Sequence, residues 1–287
     1  MKTIRVFPRK TKWTPNDELA FVGNPPLFRP KKRVVNISVT FTWDLPEAQR
    51  LAKSWGQFYD IVQMGGPALD DRGGEFEPGM FVKEGVIETS RGCPKKCEWC
   101  FVPNREGKLR ELEIKGGYIV IDNNLLACSR SHLAGVFLML SEQKHAIQFK
   151  GGLDATLFQP WHKLLFDSIR VDEMFFACDT AEAIKPLERV ANLLNGVSIE
   201  KKRCFVMIGR NENIEEAERR LEEVYNLGFL PFAQLYQPRE KIKYPKEWLY
   251  LGRKWSRPAA YRKRNRLHAN EPEINLFSHT RPVSEVL

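Results

Sequence analysis

Three of the chain's six cysteines fall within eight residues, in the stretch TSRGCPKKCEWCFVP (89–103): Cys93, Cys97 and Cys100. A disulfide among them would strand one thiol. A structural zinc site takes four ligands, typically as two separated pairs; here the next cysteine is Cys128, beyond a strand signal, and no histidine precedes His132. Three thiolates at x3 and x2 spacing suit a [4Fe–4S] cluster, one iron to each thiolate. The fourth iron is then left without a protein ligand. An open metal position of that kind can take a small molecule.

The loop must be positioned by the elements around it. It follows VIETS (86–90), the first of six strand signals, most of them followed by a helical segment. The others are GYIVIDNNLLA (117–127), AIQFKGG (146–152), EMFFACDT (173–180), KRCFVMIGR (202–210) and LPFAQLYQP (230–238). Such alternation indicates an α/β chain with a parallel sheet, wound by right-handed crossovers into an open sheet or a partial barrel. IVIDN and CFVMIG lack polar alternation, which predicts a sheet covered on both faces. Cys128, Cys178 and Cys204 are scattered and read as buried small hydrophobes rather than a second cluster.

Upstream, VVNISVTF (34–41), a helix over DLPEAQRLAKSWGQF and DIVQMGGPALDD make a small Rossmann-like β-α-β unit. The first thirty or so residues, rich in Pro and basic residues, read as an irregular arm. Past Pro238 the periodicity fades. The expected organisation is residues 1–83 for the arm and β-α-β cap, 84–238 for the core, and 239–287 for a basic C-terminal extension.

A hydrophobic content of 43% and charged content of 28% fit a globular protein, and no apolar run reaches membrane-spanning length. MKTIRVFPRKTKW lacks the apolar segment of a secretory signal, so a cytoplasmic, reducing setting is expected. The net charge of +9 favours polyanionic partners. In 252–268, which has no acidic residue, Arg253, Lys254, Arg257, Arg262, Lys263 and Arg264 interleave with Trp255 and Tyr261. That pattern suits phosphate contact with base stacking, or else a solvated basic segment covering the core.

CPKKCEWC resembles the CxxxCxxC signature of the radical S-adenosylmethionine (SAM) superfamily, with Trp99 in the aromatic place before the last cysteine. The likeness extends over the β-α units to about residue 238. It implies a partial (β/α)6 TIM-like barrel, with Cys93, Cys97 and Cys100 holding a [4Fe–4S] cluster whose open iron chelates the SAM amino and carboxylate groups. It also implies an electron donor of flavodoxin or ferredoxin type. Reductive cleavage of SAM would give a 5′-deoxyadenosyl radical that abstracts hydrogen from a substrate. Asp122, Asn123 and Asn124 match the strand end that contacts the SAM amino group, as DNN rather than the frequent GGE. Asp154 and Asp179 are candidates for the ribose hydroxyls, or else helix caps and turn formers. Gly209 and Gln234 complete the cofactor-binding candidates, with Trp99 against the cluster or adenine and Arg210 beside Gly209. Arg91 compensates cluster charge or is solvated, and Lys95 and Lys96 read as solvated. Residues 38–71 are similar to a degenerate cobalamin-binding-type domain; the segment bearing the cobalt-ligating histidine is absent, so no cobalamin is expected. The substrate expectation is a nucleic acid or nucleotide, with a peptide or small metabolite as the alternative. The rival from another class is a non-catalytic iron–sulfur or zinc protein that binds nucleic acid.

Overall fold

The computed structural model describes residues 3–31, 34–238, 240 and 242–261. The chain is α/β, with two parallel sheets. The first contains β1 (Ile4–Phe7), β2 (Ala20–Val22), β3 (Val35–Ser38) and β4 (Val62–Gly65), in the order β2-β1-β3-β4. Helix α1 (Leu45–Gly56) joins β3 to β4 and buries Ala48, Leu51 and Trp55 in one cluster with Ile4, Val6 and Ile37. The opening residues are therefore not an irregular arm. β1 lies inside the sheet with all four residues buried. Four residues are too short to establish a period, and Arg5 in their midst masks the strand. Its guanidinium donates through Nη1 to the carbonyls of Gly79 (3.0 Å) and Met80 (3.2 Å) and through Nη2 to Asp17.

The second sheet holds the cysteine loop. Its elements begin with β5 (Val86–Ile87), then a small antiparallel ribbon of β6 (Ser90–Arg91) and β7 (Arg110–Glu111) around α2 (Val102–Arg105). There follow β8 (Ile119–Val120), α3 (Arg130–Ser141), β9 (Ile147–Leu153), α4 (Pro160–Asp167), β10 (Val171–Ala177) and α5 (Ile184–Leu193). The series ends with β11 (Lys202–Ile208), α6 (Ile214–Asn226), β12 (Leu230–Leu235) and α7 (Lys246–Trp255). All six strands are parallel and adjacent in chain order, β5-β8-β9-β10-β11-β12.

Right-handed crossovers between sequentially adjacent strands must all pass over the same face. The packing agrees. Apolar residues of α3 to α7, among them Phe137, Phe166, Val190, Leu221 and Trp255, form one cluster with Phe149, Met174, Phe176, Cys204, Val206 and Ile208 of the strands. The alternate residues of those strands are less buried, and β11 alternates buried and half-buried from end to end. The expectation of a sheet covered on both faces is thus corrected. In CFVMIG the alternation is hidden because Phe205 and Met207, on the open face, are themselves hydrophobic. α7 is a second correction, since Trp248, Leu251 and Trp255 do give a helical stripe beyond Pro238, packed on the core.

One helix start bears on stability. At the head of α4 the Gln159 backbone N–H donates to His162 Nδ1 at 2.9 Å, and His162 is only 2% exposed. Burial, aided by Arg130, pushes the His162 pKa down to about 4. The unfolded chain, with an ordinary histidine near 6.5, binds the extra proton. This contribution is therefore complete above about pH 6.5 and lost as the pH falls towards 4. The loss should be on the order of 2–3 kcal/mol. His162→Gln, which can still accept at this cap position, should flatten the slope of stability between pH 4 and 6.5 in denaturant titrations. Among the described residues no helix is long and apolar enough to cross a membrane.

Candidate functional site

Cys93, Cys97 and Cys100 are free thiols, each half-buried, alternating with exposed Pro94, Lys96 and Glu98. Their loop leaves β6 and returns through α2 to β7, so the β6–β7 ribbon clamps its base. Gly92 opens it at φ +83°, and a Cβ there would lie 2.4 Å from the Lys108 carbonyl oxygen. Cys93 N–H donates to Gly107 O at 3.3 Å, and Cys100 N–H donates to Cys97 O at 3.0 Å.

From there the loop crosses the C-terminal edge of the sheet strand by strand. After β8, the triplet Asp122-Asn123-Asn124 fastens residues 89–93. Asp122 accepts from Thr89 N–H (3.0 Å), Thr89 Oγ1 (2.7 Å) and Ser90 Oγ (2.7 Å). Asn123 accepts from Gly92 N–H at 2.9 Å, and Asn124 Nδ2 donates to Cys93 Sγ at 3.4 Å. After β9, Asp154 holds Lys95 (2.8 Å) and also accepts from Asn124 Nδ2 and from the backbone and hydroxyl of Thr156. After β10, Asp179 takes the Trp99 side chain and Met207 N–H. After β11, Arg210 pairs with Glu98 at 2.8 Å and lies 5.2 Å from the Trp99 ring centre. In open parallel sheets this edge is where ligands bind.

The carboxylates respond to these partners. Asp122 is fully buried, and burial raises its pKa against the bonds from Thr89 and Ser90. Burial likewise raises Asp179, opposed by Met207 and Trp99. For Asp154 burial also pushes upward, but the Lys95 and Thr156 bonds outweigh it and the pKa ends below the usual aspartate value. Glu88, paired with Arg91 at 2.8 Å, is pushed up to about 7, chiefly by burial. It can hold a proton near neutrality.

Of the predicted site residues, Asp122, Asn123, Asn124, Asp154 and Asp179 contact the loop directly, with changed roles for several. Asp122 and Asn123 spend their oxygens on the chain itself. Asp154 is both a turn former for Thr156 and an anchor for Lys95. Lys95 is therefore not simply solvated, and nothing in its sequence neighbourhood announces a partner 59 residues away. Arg91 is held by Glu88. Gly209 N–H donates to Glu212 (3.0 Å), and the Tyr244 hydroxyl, which donates to the Tyr236 carbonyl (2.6 Å), lies 3.2 Å from the Gly209 carbonyl. Gln234 is exposed on the open face of β12. Gly151 matters although sequence reading passed over it. A Cβ there would stand 1.9 Å from the Asp122 carbonyl oxygen, so only glycine lets β9 approach the Asp122 turn this closely.

Arg253, Lys254 and Arg257 lie at the end of α7 or just past it; Arg262, Lys263 and Arg264 lie outside the described residues. Lys254 is paired with Glu218. Trp255 and Tyr261 are 3% and 1% exposed and belong to the core, which corrects the expectation that they could stack on bases. Cys128, Cys178 and Cys204 are buried in that same core.

Among the described residues no group of three or more His, Cys, Asp or Glu side chains could hold a single metal ion. A zinc ion would need its sulfurs drawn together, each about 2.3 Å from the metal. A cluster asks for one thiolate at each of three separate irons. The three half-buried thiols lie along a pinned loop, with Asn124 donating to Cys93 and Val102 N–H to Cys100, so the donor set is three sulfurs, as many as a cluster with one open iron takes. No protein-family model matches the chain, and no curated protein matches it.

Proposed function

We propose that this chain is a radical SAM enzyme in which Cys93, Cys97 and Cys100 ligate a [4Fe–4S] cluster and SAM binds at the open iron. The observation that carries this reading is the path of the three-thiol loop along the C-terminal edge of a sequentially ordered parallel sheet, anchored after four successive strands. We read the sheet, with α3 to α7 on one face, as a partial (β/α)6 barrel whose interior is the open face. When bound, the cluster would supply the electron that splits the sulfonium carbon–sulfur bond of SAM.

The chain's own residues hold and screen this site. Lys95–Asp154 and Trp99–Asp179 fix the loop on both sides. Asn124 is 3% exposed, and its Oδ1 is buried without a hydrogen-bond partner, so it is available to accept from an ammonium such as that of SAM. Arg210, against Trp99 and within 5.8 Å of the Tyr236 ring centre, walls the adjacent strand end. An external flavodoxin- or ferredoxin-type protein would deliver the electron. With Trp255 and Tyr261 in the core, the motive for a nucleic-acid polymer as substrate weakens, and a small molecule fits better.

The test is anaerobic purification, quantification of iron and sulfide, then SAM with dithionite. About four irons per chain and formation of 5′-deoxyadenosine are expected. Zinc in place of iron, or a cluster-replete protein that neither binds nor cleaves SAM, would sink the proposal. A finer test uses Asn124→Leu. Its amide favours the more negative, reduced cluster by donating to Cys93, so its removal should lower the reduction potential by roughly 20–60 mV, or ~0.5–1.4 kcal/mol for one electron. Electron paramagnetic resonance during redox titration reads this directly.

A further inference from the structure

Beneath the cysteine loop, the open face of the sheet carries a row of aromatic rings above a cluster of charge. Phe175, Phe205 and Phe232 stand on β10, β11 and β12. The first two stack with centres 4.4 Å apart, and Phe232 meets Phe205 edge-on at 6.0 Å. Phe205 and Phe232 are directly paired in register, and Phe232 remains 36% exposed. Further from the loop, Lys150 and Arg203 flank one carboxylate, Glu173. Lys150 Nζ is 2.5 Å from Glu173 and Arg203 Nε is 3.8 Å from it, beyond hydrogen-bonding reach. Arg203 Nε is buried without a hydrogen-bond partner. Lys12 has a lowered pKa, from burial first and then from the field of Lys150. Two cations thus flank one anion, with Lys12 in their field, on a face against which α3 to α7 do not pack.

We propose that this face binds a small substrate consisting of an aromatic or heteroaromatic ring joined to an anionic group, carboxylate or phosphate. The ring lies against Phe205 and Phe232, and the anion meets Arg203, Lys150 and Lys12. Two residues along a strand separate Arg203 from Phe205, about 6–7 Å, which sets the spacing between ring and anion. A ring alone would leave the excess positive charge unmatched, and an anion alone would leave Phe232 uncovered. Phe205 is two residues from Met207, whose N–H binds Asp179, the partner of Trp99. The ring would therefore lie one layer below the cysteine loop. This inference rests on the proposed radical chemistry only for what happens to the ligand, since binding requires neither iron nor SAM.

The experiment is titration calorimetry of the full chain, of measured iron content, with 3-phenylpropionate and uridine 5′-monophosphate as probes. The neutral 3-phenylpropionamide and uridine, and the ringless propionate and inorganic phosphate, are controls. At least one ring anion should bind at or below ~1 mM, at least ~10-fold tighter than its neutral and ringless controls. The probe that binds distinguishes carboxylate from phosphate. Arg203→Leu and, separately, Lys150→Gln should each weaken binding by ~10-fold or more. Phe232→Ala, at a half-exposed site that tolerates truncation, should weaken it several-fold with the melting temperature retained. Equal binding of neutral and anionic rings, no binding by either ring anion, or unchanged affinity in Phe232→Ala and Lys150→Gln would overturn the inference. Absent binding in a protein that still forms 5′-deoxyadenosine defeats this inference alone. Ring-anion binding by a protein that takes up no iron defeats the enzyme reading alone.

Discussion

Cys97→Ala should purify as a folded protein that has lost its iron, falling from about four irons per chain to fewer than ~1, and should form no 5′-deoxyadenosine. The loop's anchors do not pass through this side chain. Asn124 reaches Cys93, Lys95 reaches Asp154, and Trp99 reaches Asp179. The Cys97 thiol is half-buried and surrounded by exposed neighbours, so truncation opens no core cavity. The matched control is Cys204→Ala. That thiol is fully buried among the strands and helices. Its loss should cost about 1–2 kcal/mol of stability and leave iron content unchanged. Iron lost with Cys204 but retained without Cys97 would reverse the assignment of the two sets of cysteines. Circular dichroism melts alongside iron assays separate the two effects.

The difference in burial between those cysteines is legible in the sequence. Cys204 stands in an apolar run, and Cys97 among lysines and a glutamate. The β-α alternation is equally plain up to β12, because each of β9 to β11 is followed by a helix with its own apolar stripe, whereas the stripe of α7 after β12 is passed over. What eludes sequence reading is determined by pairings distant along the chain. The Asp122 triplet has the position expected of ligand-binding groups, yet two of its three members are taken up by residues 89–92. Lys95 resembles its neighbour Lys96 in every local respect, and only the fold brings Asp154 to it. Phe205 and Phe232 conceal the open face, since a hydrophobic residue on an uncovered sheet face has the same identity as one facing a helix. β1 is missed because a buried arginine interrupts four residues that would otherwise read as a strand.

Asp122 is the position where a single substitution should do most damage to the fold around the loop. Replacement by Leu removes the acceptor for Thr89 N–H, Thr89 Oγ1 and Ser90 Oγ in a site with no solvent to replace it. Unpaired buried donors cost ~1–3 kcal/mol each, and the two hydroxyls can turn to find partial relief, so a net loss of about 3–5 kcal/mol is expected. For a chain of this size that lowers the melting temperature by roughly 6–15 °C. Iron occupancy should fall as well, because Ser90 lies three residues from Cys93 and its tether is gone. Asp122→Asn should behave differently. Its oxygen can accept from Thr89 N–H while its amide donates to the two hydroxyls, which rotate to receive it. The three contacts survive without the charge. Because burial raises the folded pKa of Asp122, wild-type stability from this site declines as the pH rises past the unfolded aspartate value. The Asn variant lacks that slope, so its stability relative to wild type should improve from acid to neutral pH. If Asn proves as damaging as Leu at pH 7, the negative charge itself is what Thr89 and Ser90 require, and the hydrogen-bond geometry alone is not enough to hold the loop.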